Sequence, residues 1–323
     1  MSASDQYFHS REHLLLSFTI VFISTIAMLG NGVVLVAFLR YKQLRKQQCC
    51  HLITALALSD FIAGSGMLSG FSALIYYQLT GKSYTSFSCM ITIAPAGVGL
   101  VTSQALTVAI AWDRIEAFWK PTKYRLKNHK KFAIRTMLFA LSFGLCFTLF
   151  PLLLADLDRR PASCTYAASA PPIFGALFGL SNLILSISVV LFYLLALCFM
   201  RKEVRRAKQD SDRARLLKRQ MKVTKTVYAV LSCFLLFWVV PNVSFVFMIG
   251  LNVGPGVLLR ANPLLNLSAL INCSANPVIY AARHATVRKY MLAVLRGGWN
   301  RVEPATGSSR TAQHRNRNHI QMI

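Results

Sequence analysis

Ionisable and polar side chains inside long apolar runs are the first places to look for chemistry, and this chain has few of them. Asp60 is the only carboxylate deep within such a run. Asn31, Ser103, Asn272 and Asn276 fall in three other apolar runs at comparable depth. A carboxylate among neutral oxygens can do one of two things. It can anchor a hydrogen-bonded network that specifies packing, or it can hold a cation such as Na⁺ or a proton. Placing a charge in a membrane costs at least about 2.5–3.5 kcal/mol, so either role must offset that penalty. Residue types alone leave the two readings equal. A second pair, Asp113 and Arg114, lies at the end of the third run. Taken alone, it reads most simply as an interfacial ion pair with a snorkelling arginine.

The elements that must position these groups follow from composition. Of the 323 residues, 54% are hydrophobic and 15% charged, with a mean hydropathy of +0.46. A soluble domain carries about 25% charged residues. A helix crosses a bilayer with about 20 mostly apolar residues. Seven stretches qualify, roughly 14–39, 51–76, 87–112, 132–155, 172–200, 223–250 and 257–281. The expected fold is an all-α membrane protein, a seven-transmembrane helix bundle. The first run is longer than the roughly 7–15 residues of a signal sequence and lacks a basic leader, so it reads as a retained span. Pro95, Gly97, Gly99, Thr102, Ser103 and Gln104 make the third run a helix that faces other helices.

Orientation comes from the 36 lysines and arginines. Counted over alternate segments, five (Arg11, Lys82, Arg159, Arg160 and Arg260) lie on the side of the N-terminus and 31 on the other. The basic side is expected to be cytoplasmic, which places the N-terminus outside the cell. The net charge of +25 is therefore a topology signal and not a nucleic-acid footprint. The segment from Arg201 to Lys225 reads as helix extensions suited to anionic lipid headgroups and an acidic partner. Beyond the seventh run, basic Arg283, Arg288, Lys289 and Arg296 alternate with apolar Val287, Tyr290, Met291, Val294 and Leu295. That pattern predicts an eighth helix lying in the membrane interface. The expected division is 1–13 extracellular, 14–297 bundle plus interfacial helix, and 298–323 a disordered cytoplasmic tail. The tail has no cysteine, which excludes palmitoylation there.

Cys146, Cys198, Cys233 and Cys273 fall inside spans and read as packing residues. Cys49 and Cys50 belong to the reducing side. Only Cys89 and Cys164 are expected outside, where a disulfide is allowed.

In chain order, the motifs are Gly30-Asn31-x-x-Val34, Leu56-Ala57-Leu58-Ser59-Asp60, Cys89 with Asp113-Arg114-Ile115, then Pro121 and Tyr124, Phe237-Trp238-x-x-Pro241, and Asn272 with Asn276-Pro277-x-x-Tyr280. This ordered set, over about residues 14–297, resembles rhodopsin-like (class A) G-protein-coupled receptors. The resemblance implies a plasma-membrane receptor that passes an extracellular signal to a heterotrimeric G protein, with arrestin as a further inner partner and lipids around it. It implies the Cys89–Cys164 disulfide. It implies a switch in which Arg114 leaves Asp113, supported by Tyr193 and Tyr280, with Trp238, Pro241, Asn276 and Pro277 as moving parts. It also matches Asp60, Ser103, Asn272 and Asn276, beside Asn31, to an allosteric sodium pocket. No other cofactor is implied.

The chain departs from the family pattern in several places. Ile115 stands where tyrosine is usual. Val239 takes the usual tryptophan position, with Trp238 one residue early. Leu185 stands near the place of the fifth-helix proline, the fourth run lacks its usual tryptophan, and Met221 stands where an acidic partner for Arg114 often sits. These put the switch in doubt and keep a non-signalling scaffold as an alternative. With the short termini, they look most like nematode serpentine chemoreceptors of the sx class.

Ala96 stands at the amine-binding aspartate position, so a biogenic amine is not expected. Leu270 stands at the retinal-attachment position, and the seventh run has no lysine, which excludes a covalent retinal pigment. The candidate pocket is Thr92, Ala96, Phe174, Phe178, Asn242, Phe245, Asn262 and Asn266, aromatic and neutral-polar. It suits a neutral small molecule or a peptide end. The chain shows no internal repeat, no second buried charge for a transport relay, and no paired carboxylates at catalytic depth; it is not expected to be an enzyme.

Overall fold

The computed structural model describes residues 11–161, 164, 169–207, 228–251 and 254–297. Eight helices form the frame. They are α1 (Arg11–Arg40), α2 (Gln48–Thr80), α3 (Ser86–Trp119), α4 (His129–Leu149), α5 (Pro172–Ala207), α6 (residues 228–250), α7 (Pro255–Arg283) and α8 (Ala285–Leu295). Short helical turns at Lys42–Arg45, Pro121–Leu126 and Phe150–Leu153 join or extend them, and no strand occurs among the described residues. Of the expected N-terminal segment 1–13, residues 11–13 are described; they are helical, and His13 is buried. The expected tail 298–323 and most of the loop from Arg201 to Lys225, Met221 included, lie outside the described residues.

Local chemistry sets the helix ends. Gly81 closes α2 at φ 65°, a left-handed conformation that glycine adopts without steric cost. Thr85 and Ser88 cap α3 reciprocally, each side chain bonding the other residue's backbone N–H. The second loop on that side then lies against the start of α3. Ser86 N–H donates to the Arg159 carbonyl at 2.8 Å and Phe87 N–H to that of Leu157 at 3.0 Å. Asn128 caps α4 by accepting from Lys131 N–H at 3.0 Å.

Helix α3 is the hub, packed on α2, α4 and α5. Its approach to α2 needs glycine on both sides. A Cβ at Gly66 would stand 2.0 Å from the Ala96 nitrogen, and one at Gly99 would stand 2.3 Å from that of Ala63. The Gly66-x-x-x-Gly70 motif therefore serves packing inside the bundle. One apolar cluster gathers at the Cys89 end, around Met67, Phe71, Trp238 and Leu270; a second gathers at the Arg114 end, around Leu56, Leu106, Ile110 and Tyr280. Cys146 and Cys198, expected as packing residues, are instead exposed on the outer, lipid-type surface of the bundle. Apolar character placed them in the helices, but it does not say which way a helix is rotated.

Among the described residues, six helices are long and apolar enough to cross a membrane on length and composition; α7 is not one of them. Asn272 and Asn276 lower its hydropathy, and both are buried. The pyrrolidine of Pro277 packs against Gly30 of α1, where a Cβ would lie 3.2 Å from the ring. Helix α8 packs on α1 and α7, and its Tyr290 stacks on Tyr41 at 4.3 Å.

Candidate functional site

Three polar regions lie along the bundle. The first is a cavity of about 270 Å³ at the Cys89 end. Of the residues expected to form a pocket, Ala96, Phe178, Asn242, Phe245, Asn262 and Asn266 line it. Thr92 and Phe174 do not. The Thr92 hydroxyl donates to the Ser88 carbonyl at 2.9 Å, and Phe174 packs edge-on against Phe150 at 5.7 Å. The disulfide between Cys89 and Cys164 spans 75 residues with a Cα–Cα distance of 5.4 Å, and Cys164 forms part of the cavity wall. Sequence reasoning missed His13, Thr148, Asn182 and Ser186 in that wall. Asn182 and Ser186 carried a usable signal, since they are polar and one helical turn apart on the same face of α5. His13 carried none, because it was counted with the segment before the first span. It is bonded to Gln78, with 2.7 Å between Nδ1 and Nε2.

Under the cavity lies the sixth-helix motif. Residues Leu235–Val239 form a π turn, with the Val240 N–H bonded to the Leu235 carbonyl, followed by Pro241. A π turn holds more residues per turn than an α turn, so it offsets a one-residue displacement in sequence. Trp238, which stands one position early against the family pattern, is accordingly buried, lines the cavity and stacks on Phe234 at 6.3 Å.

The second region centres on Asp60, which is fully buried. Ser103 Oγ donates to one carboxylate oxygen at 2.7 Å and Asn276 Nδ2 to the other at 2.6 Å. Asn31 Nδ2 bridges to the Cys273 carbonyl at 3.1 Å, tying α1 to α7. The Oδ1 atoms of Asn31, Asn272 and Asn276 and the Tyr280 hydroxyl are buried without hydrogen-bond partners among the described residues. A carboxylate with unpartnered amide oxygens nearby is the donor chemistry that suits a hard cation, so these residues fit sodium.

The third region lies at the opposite end. Asp113 and Arg114 are buried and paired. Tyr124, on the short helix after α3, donates its hydroxyl to Asp113 at 2.9 Å and accepts from Arg114 at 2.7 Å. Lys127 pairs with Glu116 and lies 3.6 Å from Asp113. Burial raises the Tyr124 phenol well above its ordinary pKa; Arg114 opposes the shift and Asp113 adds to it. The hydroxyl therefore stays a neutral donor at physiological pH. Tyr193 meets Tyr228 edge-on at 5.2 Å. The side chain of Cys49 lies outside the described residues; Cys50 is buried and bonds Gln47.

The model of the 7 transmembrane receptor (rhodopsin family) matches residues 30–280, from the second half of α1 to the inner end of α7. No curated protein matches the chain.

Proposed function

Because the chain belongs to the rhodopsin family of seven-transmembrane receptors, we propose that it carries an extracellular chemical signal to a heterotrimeric G protein. In this reading it sits in the plasma membrane with the Cys89 end outward. The observation that carries the proposal is the pairing, in one bundle, of a cavity at the disulfide end with a clamped arginine at the other. The excess of basic residues on the Arg114 side supports the orientation.

A ligand acts only by binding one conformation better than another. Here the cavity floor includes Trp238, within the π turn and three residues before Pro241, where α6 is weakest as a regular helix. A ligand that favours a bent or rotated α6 opens the inner mouth. Arg114 then exchanges Asp113 and Tyr124 for the G protein, while Lys127 stays beside Asp113 to limit the cost of leaving that carboxylate bare. Tyr193 and Tyr280 move in behind Arg114. Asp60, Ser103, Asn272 and Asn276 would hold a sodium ion, whose charge would tie α2, α3 and α7 together in the closed state. Arrestin would use the same mouth. The neutral cavity supports a chemosensory role for a neutral ligand.

The test is basal G-protein activation in cells across a panel of Gα subunits, wild type against Arg114→Ala at matched surface expression. The expected result is a signal through one Gα class that the substitution abolishes. A basal signal that survives Arg114→Ala removes the mechanism.

A further inference from the structure

The cavity wall carries more specific chemistry than its neutrality. Among the described residues no Asp, Glu, Lys or Arg lines it, and its volume of about 270 Å³ falls below the roughly 300–1,000 Å³ of pockets for drug-sized ligands. Its polar groups lie off α2 and α3, which present Met67, Phe71, Leu74 and Ile93. His13, Thr148, Asn262 and Asn266 are polar on α1, α4 and α7, and α5 and α6 present three more, Asn182, Ser186 and Asn242. Two of these three are amides locked in one orientation. Asn182 Nδ2 donates to the Phe178 carbonyl at 2.8 Å and Asn242 Nδ2 to the Trp238 carbonyl at 2.8 Å. Only the amide nitrogen can donate to a carbonyl, so each Oδ1 is left as an acceptor. Ser186, 2% exposed, has a buried hydroxyl with no hydrogen-bond partner among the described residues. A buried hydroxyl left unpaired is a standing cost to the fold, and native structures seldom keep one without a use.

Resting on the reading of this cavity as the ligand site, the geometry points to a ligand class. The ligand is a small neutral molecule with one hydrogen-bond-donating group, a hydroxyl or primary amide, on an otherwise apolar body. The donor is recognised by Asn182, Ser186 and Asn242, and the apolar body lies against α2 and α3. Ions are refused because the wall has no counter-charge for them. A capped analogue is refused because it leaves the acceptors dry and unpaired. Peptides are refused by volume.

The test uses the full chain in lipid nanodiscs and thermal stabilisation as readout. The probes, on naphthyl and hexyl bodies, are the primary alcohol and its methyl ether, the primary amide and its N,N-dimethyl form, the carboxylate and the ammonium. The alcohol and amide are expected to raise the melting temperature. The capped and charged members bind at least about tenfold more weakly, the equivalent of one lost hydrogen bond. Ser186→Ala and Asn182→Leu erase the preference between alcohol and ether. Ser186→Ala leaves the melting temperature of the unliganded chain unchanged or higher, because it removes an unpaired group. The proposal is overturned if ethers bind as well as alcohols, if a charged member binds best, if no member binds, or if Ser186→Ala lowers unliganded stability. A probe that binds with this preference and activates no Gα leaves the proposal standing and removes the signalling reading. A basal signal lost on Arg114→Ala, without the preference, does the reverse.

Discussion

Helices α2 and α3 and helices α5 and α6 are built on opposite plans. The most apolar window of α3 is 67% buried, and that of α5 only 17%. In the first pair, glycines bring backbones to where no Cβ fits. In the second, a π turn and a proline interrupt the helix, and Gly179 faces open space with nothing within 4 Å of its would-be Cβ. Close-packed elements have one good arrangement and do not deform by degrees. The first pair is therefore the fixed frame, and shape change is left to the second. The charged clamp agrees with this division. Asp113, Arg114, Tyr124 and Lys127 all stand on α3 and the turns that follow it, so the arginine's partners here come from the frame.

The contrast can be broken most severely at Gly66. Gly66→Leu drives a side chain into the α3 backbone and should cost more than the about 1–3 kcal/mol of ordinary overpacking. The expected outcome is loss of surface expression, read by flow cytometry of a tagged chain; normal expression would mean that the frame is not fixed. Asp113→Asn comes next. Removing one partner of a buried ion pair costs about 3–5 kcal/mol, here charged against the closed state, so basal G-protein activation should rise while surface expression falls only moderately. Tyr124→Phe deletes the hydroxyl bridging the pair. At about 1 kcal/mol, basal activity should rise by several-fold at most, without pH dependence between pH 6 and about 9, since the phenol does not ionise there. The smallest effect on stability sharpens the comparison from the other side. A Cβ at Gly179 meets nothing, so Gly179→Leu should shift stability by no more than about 0.5 kcal/mol, yet it places a side chain at the cavity wall and should abolish probe binding in nanodiscs.

Much of this was legible in the residues, and what escaped has common causes. Apolar runs located the helices, and ordered motifs located Asp60, Asp113 and Arg114, because burial of a charge demands recognisable partners. The pocket was read less well. Thr92 and Phe174 lie at the right depth but on the wrong face, since helix rotation is set by tertiary contacts such as Gly66 on Ala96. Asn182 and Ser186 were in plain sight on α5: two polar residues one helical turn apart marked a face turned from lipid, though not which neighbour that face meets. Trp238 looked displaced by one residue because counting along the chain assumes a regular helix, and the π turn makes it irregular there. Tyr228 gave no warning that it meets Tyr193, because that contact joins two helices.

The polar character of α7 bears on how the molecule is made. A helix entering the bilayer from the translocation channel is judged on its own hydrophobicity as it emerges, and α7 has no window apolar enough to meet the composition met by the other six. What welcomes it is already in place: the Asp60 carboxylate that accepts from Asn276, and the Asn31 amide that donates to the Cys273 carbonyl. Integration of α7 is therefore expected to depend on the helices made before it, with α1 and α2 acting as a socket for it. Fused alone to a glycosylation reporter, α7 should pass through into the lumen; preceded by α1–α6 it should stop, and Asp60→Leu should return it toward the failing case.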